Sequence, residues 1–258
     1  MDNDALRKLL SELRTGQISV EEAVAALSRS GIDPLEFANV DLDRARRRGL
    51  PEVVFGPGKT TTQICGIAKS LREAQQRLLV TRVDESIATE VIGALPNYGF
   101  EYDKTARCLY SAPIPDPSFG RGKILVVTAG TSDIPVAMEA VLTIRHAGHP
   151  VDTLFDIGVA GLHRLLANLE VLRSAEVLIV CAGMEGALPS VIAGLVSQPV
   201  IAVPTSVGYG AHLEGVTPLL AMMSGCAAGV TVVNIDNGFG AAYAACAINR
   251  SGAERAKT

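Results

Sequence analysis

Residues 177–189 read VLIVCAGMEGALP. Val177 to Val180 is a short, unbroken apolar run, the pattern of a parallel strand buried on both faces. Gly183 and Gly186 bracket Met184 and Glu185. Glycines placed this way let the backbone turn sharply and approach a ligand without Cβ clashes. Glu185 is the only charged side chain between Glu176 and His212. A carboxylate in so apolar a segment caps the following helix, is paired, or carries chemistry.

The same order of strand, small-residue loop and helix recurs from Gly122 onward. Strands are expected at 123–128, 151–155, 177–180, 200–203 and 230–235, and helices at 134–147, 163–173, 188–196, 216–224 and 240–248. This alternation predicts an α/β fold with a doubly wound parallel sheet between helices on both faces, a flavodoxin-like three-layer arrangement. Ahead of it, APIPDPSFG (112–120) has three prolines in nine residues, the composition of an extended connector. It divides the chain into a small α/β N-terminal domain, 1–118, and a larger C-terminal domain, 119–258.

The first part reads as mixed and short. Leu6, Leu9, Leu10 and Leu13 share one face of a helix over 1–14, and Ser19 with Glu22 forms a capping box for a second helix. Arg44, Arg46, Arg47 and Arg48 crowd a charged run, a solvated surface or an anion contact. Glu52–Phe55 reads as a strand, and Thr60 with Gln63 caps a helix to about Gln76. Gly58-Lys59-Thr60 resembles a phosphate loop, but the first glycine of that motif would fall on Val53, so a nucleoside triphosphatase is excluded. Leu78–Arg82 is a strand, Asp84 opens a helix to Gly93, and 100–111 forms a hairpin around Asp103-Lys104.

Composition limits the function classes. The 258 residues carry a net charge of -4 and are 48% hydrophobic, with no Trp. The mild negative charge argues against a nucleic-acid partner. Residues 187–211 are uncharged, but Pro189, Pro199, Pro204 and several glycines cut them into pieces shorter than a membrane span. The N-terminal MDNDALRKLL holds no apolar signal core. Cys65, Cys108, Cys181, Cys226 and Cys246 are odd in number and lack CxxC spacing, which predicts a reduced, cytoplasmic protein with no zinc site.

In open parallel sheets, ligands bind outside the carboxyl ends of the strands. The loops expected there are TAGTSD (128–133), DIGVAG (156–161), AGMEGA (182–187), PTSVGYGA (204–211) and DNGFGA (236–241), all rich in glycine and small polar residues. Gly130, Thr131, Ser132 and Asp133 open a helix whose N–H groups and hydroxyls suit a phosphate. Asp133 caps that helix or meets a ribose hydroxyl or a metal. His163 and Arg164 begin another helix, where a structural cation is disfavoured and Arg164 suits a carboxylate or phosphate. Gly183, Met184, Gly186, Ser206, Tyr209, Asp236 and Asn237 complete the candidate binding set. His212 is an acid–base group or an exposed loop residue. Cys65, Cys181 and Cys246 read as core, whereas Cys226 lies among small residues that leave room for a ligand.

These runs carry a resemblance. VVTAGTSDIPVA, DIGVAGLHRLL, AGMEGALPSVIAGLV, PVIAVPTSVGYG and VVNIDNGFGAA, with KTTTQI, TRVDESIATEV and YDKTARC before them, resemble the LarB family of nickel-pincer cofactor biosynthesis. The C-terminal half is similar to the PurE-type aminoimidazole ribonucleotide carboxylases. The catalytic His of the AxHLPG loop of those carboxylases is replaced by the Met184-Glu185-Gly186 region. The resemblance implies carboxylation of the pyridinium ring of nicotinic acid adenine dinucleotide at carbon 5, with phosphoanhydride hydrolysis releasing AMP. It implies a nucleophile at Cys226, an acid–base group at Glu185 and CO2 or bicarbonate as co-substrate. Mg2+ is expected, with Asp133 or Asp236 as candidate holders, together with a homo-oligomer, octamers included. A purine-type carboxylase or mutase and a non-catalytic nucleotide-binding protein are the alternatives.

Overall fold

The computed structural model describes residues 3–29, 31–114 and 116–250. They divide into two compact units. The first runs to Tyr102 and includes Leu109–Ala112; the second holds Asp103–Cys108 and continues from Pro113.

In the first unit, α1 (Asn3–Arg14) and α2 (Val20–Arg29) precede a hairpin of β1 (Ile32–Leu35) and β2 (Ala38–Asp41). Ser19 and Glu22 form the expected capping box, at 3.0 and 2.7 Å. The hairpin was not legible in the sequence. Its two-residue turn is Glu36-Phe37, with Leu35 facing Ala38, and lacks the Asn-Gly or Asp-Gly signal of tight hairpins. The arginine run forms α3 (Arg44–Arg48), where Arg46 and Arg47 pair with Asp41 and Asp43 at 2.6–3.1 Å.

Next come β3 (Val54–Phe55), α4 (Thr61–Glu73), β4 (Leu79–Thr81), α5 (Glu85–Ala94), β5 (Phe100–Asp103) and β6 (Cys108–Ser111). Thr60 and Gln63 cap α4 reciprocally. The strands form one sheet in the order β3-β4-β6-β5. Ile64 and Leu71 of α4 and Val91 of α5 bury against Leu78, Val80 and Leu109.

The second unit is a five-stranded, all-parallel sheet: β7 (Ile124–Thr128), β8 (Val151–Leu154), β9 (Val177–Ala182), β10 (Val200–Pro204) and β11 (Val230–Val232). Its spatial order is β11-β10-β9-β7-β8. The helices are α6 (Ile134–His146), α7 (Leu162–Ala167), α8 (Leu169–Arg173), α9 (Leu188–Ala193), α10 (Val216–Met223) and α11 (Gly238–Arg250). Every residue of β7, β9 and β10 is buried, whereas β8 and β11 are edge strands with exposed positions. Leu125, Val127, Leu178, Val180, Val200 and Ala202 pack on α7 to α10. Their neighbours along each strand face the other way, toward the layer where α6 and α11 pack together. The doubly wound reading therefore holds.

The helix expected at 163–173 is two. Asn168 sits between them, and its Nδ2 donates to the Arg164 carbonyl at 2.8 Å. A side-chain amide competing for helix carbonyls breaks the ladder.

Asn249 joins the chain entering β7 to the end of α11. Its Oδ1 accepts from the Arg121 and Gly122 amides at 3.1 and 3.3 Å, and its Nδ2 donates to the Gly122 carbonyl at 2.8 Å and to His149 Nδ1 at 3.2 Å. His149 is fully buried, and burial, with Arg250 nearby, lowers its pKa from 6.5 to about 4. The fold thus prefers neutral His149, whose Nδ1 must stay unprotonated to accept from Asn249. Its stabilising contribution is complete above pH 6.5 and is lost as pH falls from 6.5 toward 4, a loss of up to about 3 kcal/mol. Asp133 and Glu52, whose pKa values burial raises, act in the opposite direction over acidic pH. The difference between wild type and His149→Asn isolates the histidine. Urea unfolding from pH 7 to 4 should show wild type losing stability relative to the variant; parallel curves would contradict the assignment.

Candidate active site

The connection after β7 leads to β8 on one side, and the connection after β9 leads to β10 on the other. That reversal opens a crevice outside the carboxyl ends of the two strands. A cavity of about 350 Å³ lies there. Its walls come from the loops after β7 (Gly130, Ser132, Asp133), β8 (Asp156, Gly158) and β9 (Gly183, Met184, Glu185), with Arg164 of α7, and are closed by Val207 after β10.

Asp133 ties these loops together. It is only 3% exposed. Its Oδ1 accepts from Thr205 Oγ1 at 2.6 Å and its Oδ2 from the Gly130 amide at 2.8 Å. The Gly183 amide also favours its charged form. Burial raises the Asp133 pKa, and these three groups lower it in part. The expected helix-opening role is met through the Gly130 amide, three residues back. Thr205 is itself fully buried, and its carbonyl pairs with His212 Nε2 at 3.2 Å. His212 is therefore a buried, bonded residue rather than an exposed one.

Gly183 admits no side chain. A Cβ there would sit 2.1 Å from the Val207 carbonyl oxygen and 2.8 Å from Thr205 Oγ1. The Met184 amide donates to that same Val207 carbonyl at 2.9 Å, and Gly186 N bonds back to Gly183 O at 2.9 Å. This tight turn leaves Met184 at φ 52° and presents Glu185 to the cavity, exposed. Among the described residues, no hydrogen bond or ion pair holds the Glu185 carboxylate.

Eight described non-glycine residues have φ in the left-handed region. Five of them, Asp156, Met184, Leu213, Glu214 and Asp236, lie in loops at this edge of the sheet. Such backbone costs of order 1–3 kcal/mol each and collects where function requires a shape. At Asp156 (φ 62°) the amide bonds Thr128 Oγ1 at 3.0 Å, and Oδ2 accepts from Arg164 Nη1 at 2.7 Å.

The remaining candidates are spread along the same edge. Thr131 and His163 are exposed and outside the cavity lining, as is Tyr209, which is 80% exposed. Ser206 N donates to Asp236 Oδ1 at 2.8 Å, joining the β10 and β11 loops. Asn237 Oδ1 accepts from Gly240 N at 2.8 Å and caps α11. Gly186 lies against Pro218, where a Cβ would come within 2.9 Å of Pro218 Cα. Cys226 is exposed in the 224–229 loop that leads into β11, and it does not line the cavity of its own chain. Its neighbour Gly225 abuts Ser190 of α9. Cys181 is fully buried, and burial, with Asp133, Glu139 and Asp236 nearby, holds its thiol well above the ordinary range.

Sequence reasoning missed Thr128, Thr205 and Asp156. Each stands at or just after a strand end, and Asp156 precedes Arg164 by eight residues, a spacing with no motif attached. Thr205→Val keeps the shape but removes a donor to a buried carboxylate. It should lower the free energy of unfolding by about 1–3 kcal/mol, measured by urea titration. Unchanged stability would show that Asp133 is not held in this way.

Comparison with known proteins places this geometry. Residues 32–113 match the LarB/PurE-like N-terminal domain, and residues 123–258 match the AIR carboxylase family. An uncharacterized protein of Methanocaldococcus jannaschii is 41% identical over 242 residues, covering 92% of this chain and 93% of its own. The N5-carboxyaminoimidazole ribonucleotide mutase of the same organism is 34% identical over 130 residues, covering 48% of this chain and 77% of its own. Both halves of the chain are thus accounted for, in order: it belongs to the LarB family, with a PurE-like C-terminal half of the carboxylase type.

Proposed function

We propose that this carboxylase-type protein adds CO2 to carbon 5 of the pyridinium ring of nicotinic acid adenine dinucleotide and hydrolyses the phosphoanhydride. The products are AMP and pyridinium-3,5-biscarboxylic acid mononucleotide. The observation that carries the reading is Glu185, an uncommitted carboxylate held at a cavity by a strained turn, in the region where the purine carboxylases it resembles have histidine.

A pyridinium ring is electron-poor and does not attack CO2. When the Cys226 thiolate adds to the carbon beside carbon 5, a C–S bond forms and the ring becomes a dihydropyridine with enamine-like density at carbon 5. That carbon forms a bond to CO2. Glu185 takes the carbon 5 proton, the electron pair returns to the ring, and the thiolate leaves. Water cleaves the phosphoanhydride. Bound Mg2+ supplies charge shielding at phosphates. Among the described residues no three His, Cys, Asp or Glu side chains converge to hold an ion. Among the described residues, no helix is long and apolar enough to cross a membrane, and the substrates in this reading are small molecules.

Cys226 stands outside the cavity of its own chain, so this chemistry needs the 224–229 loop to move or a second copy, in a homo-oligomer, to supply the thiol. Cys226→Ala should lower turnover by roughly a thousandfold or more, and Glu185→Gln by roughly 100- to 10,000-fold. Wild-type turnover in either variant overturns its assignment. Co-expression of the two inactive variants separates the routes: regained activity means that two copies share a site, and none means that the loop moves. The purine-type reading, favoured by the mutase relative, predicts that Cys226→Ala keeps full activity on the carboxyaminoimidazole ribonucleotide.

A further inference from the structure

Among the described residues, the cavity is lined by three carboxylates, Asp133, Asp156 and Glu185, and by one cation, Arg164. Asp133 is spent within the protein, and Asp156 is paired with Arg164 at 2.7 Å. Glu185 is left uncompensated, so the pocket is net negative with a single cationic point in its wall. That balance suits a ligand with a positive body and one attached carboxylate better than it suits a polyphosphate.

Arg164 is positioned, not merely present. Thr128 Oγ1 fixes the Asp156 amide in a left-handed conformation, and Asp156 grips only Nη1. A Cβ on Gly161 would come within 2.8 Å of Arg164 Nε, so the guanidinium stem lies across a glycine. The side chains of the pair are 37% and 48% exposed, and an ion pair so open to water adds little stability. Its effect is to aim the guanidinium, whose remaining donors match a carboxylate fork.

Resting on the reading above, we infer that Arg164, aimed by Asp156, binds the ring carboxylate of the substrate and selects the pyridinium acid over the corresponding amide. Glu185 faces the positive ring in the same pocket. An amide in place of the carboxylate leaves the guanidinium donors not used by Asp156 without an anionic fork to bind, which makes this a specificity-determining contact.

The test is calorimetric binding, in bicarbonate-free buffer, of nicotinic acid mononucleotide and nicotinamide mononucleotide to the full chain. These probes differ only at the carboxylate. Wild type should prefer the acid by roughly 10- to 100-fold. Arg164→Gln should abolish that preference by weakening the acid alone, and retained amide binding reports an intact pocket. Arg164→Lys keeps the charge without the fork and should retain part of the preference; it serves if the glutamine variant does not fold. Equal wild-type affinity for both probes overturns the inference while leaving the carboxylation reading intact. Equal weakening of both probes in Arg164→Gln also overturns it, since Arg164 would then hold the shared phosphate. If neither probe binds wild type, this inference and the reading beneath it both fail.

Discussion

The site depends on a carboxylate that is not free to react. Asp133 is buried, and its oxygens accept from the Thr205 hydroxyl and the Gly130 amide, with the Gly183 amide also favouring its charge. A buried charge is tolerated only when it is hydrogen-bonded. Satisfying this one draws in the loops after β7, β9 and β10 together. Gly183 is held so close to the third of these loops that no Cβ fits. Release of Asp133 would loosen three walls of the cavity at once.

Function then follows from topology and strain. The sheet reverses its winding between β7 and β9, and the cavity opens at that reversal. Backbone energy is spent nearby, with Asp156, Met184 and Asp236 all held at positive φ. In the first two cases the distortion presents a charged group to the cavity: Asp156 directly, and Glu185 just after Met184. The core beneath is conventional, with three central strands whose residues are all buried.

Much of this was legible in the sequence. Apolar runs such as VLIV announce buried parallel strands, and glycine-rich loops after each strand mark the ligand edge. Glu185 stands out because its surroundings are uncharged. What could not be read was long-range pairing. Thr205 looks like an ordinary strand-end threonine until Asp133, 72 residues earlier, meets it. Asp156 gains meaning only through Arg164 and Thr128. The break at Asn168 arises from a side-chain bond that periodicity does not record. The β1–β2 hairpin turns on Glu36-Phe37, which carries no turn signal. Nor does sequence order show that Cys226, 41 residues after Glu185, stands outside the cavity that Glu185 lines.

The central claim is that this cavity captures carbon dioxide on a pyridinium acid. The most direct measurement is mass spectrometry of the products after incubation of the full chain with nicotinic acid adenine dinucleotide, isotope-labelled bicarbonate and Mg2+. The account predicts a biscarboxylated pyridinium mononucleotide carrying the label in one added carboxylate, with AMP in equal amount. Unchanged dinucleotide, alongside conversion of an aminoimidazole ribonucleotide by the same preparation, would contradict it.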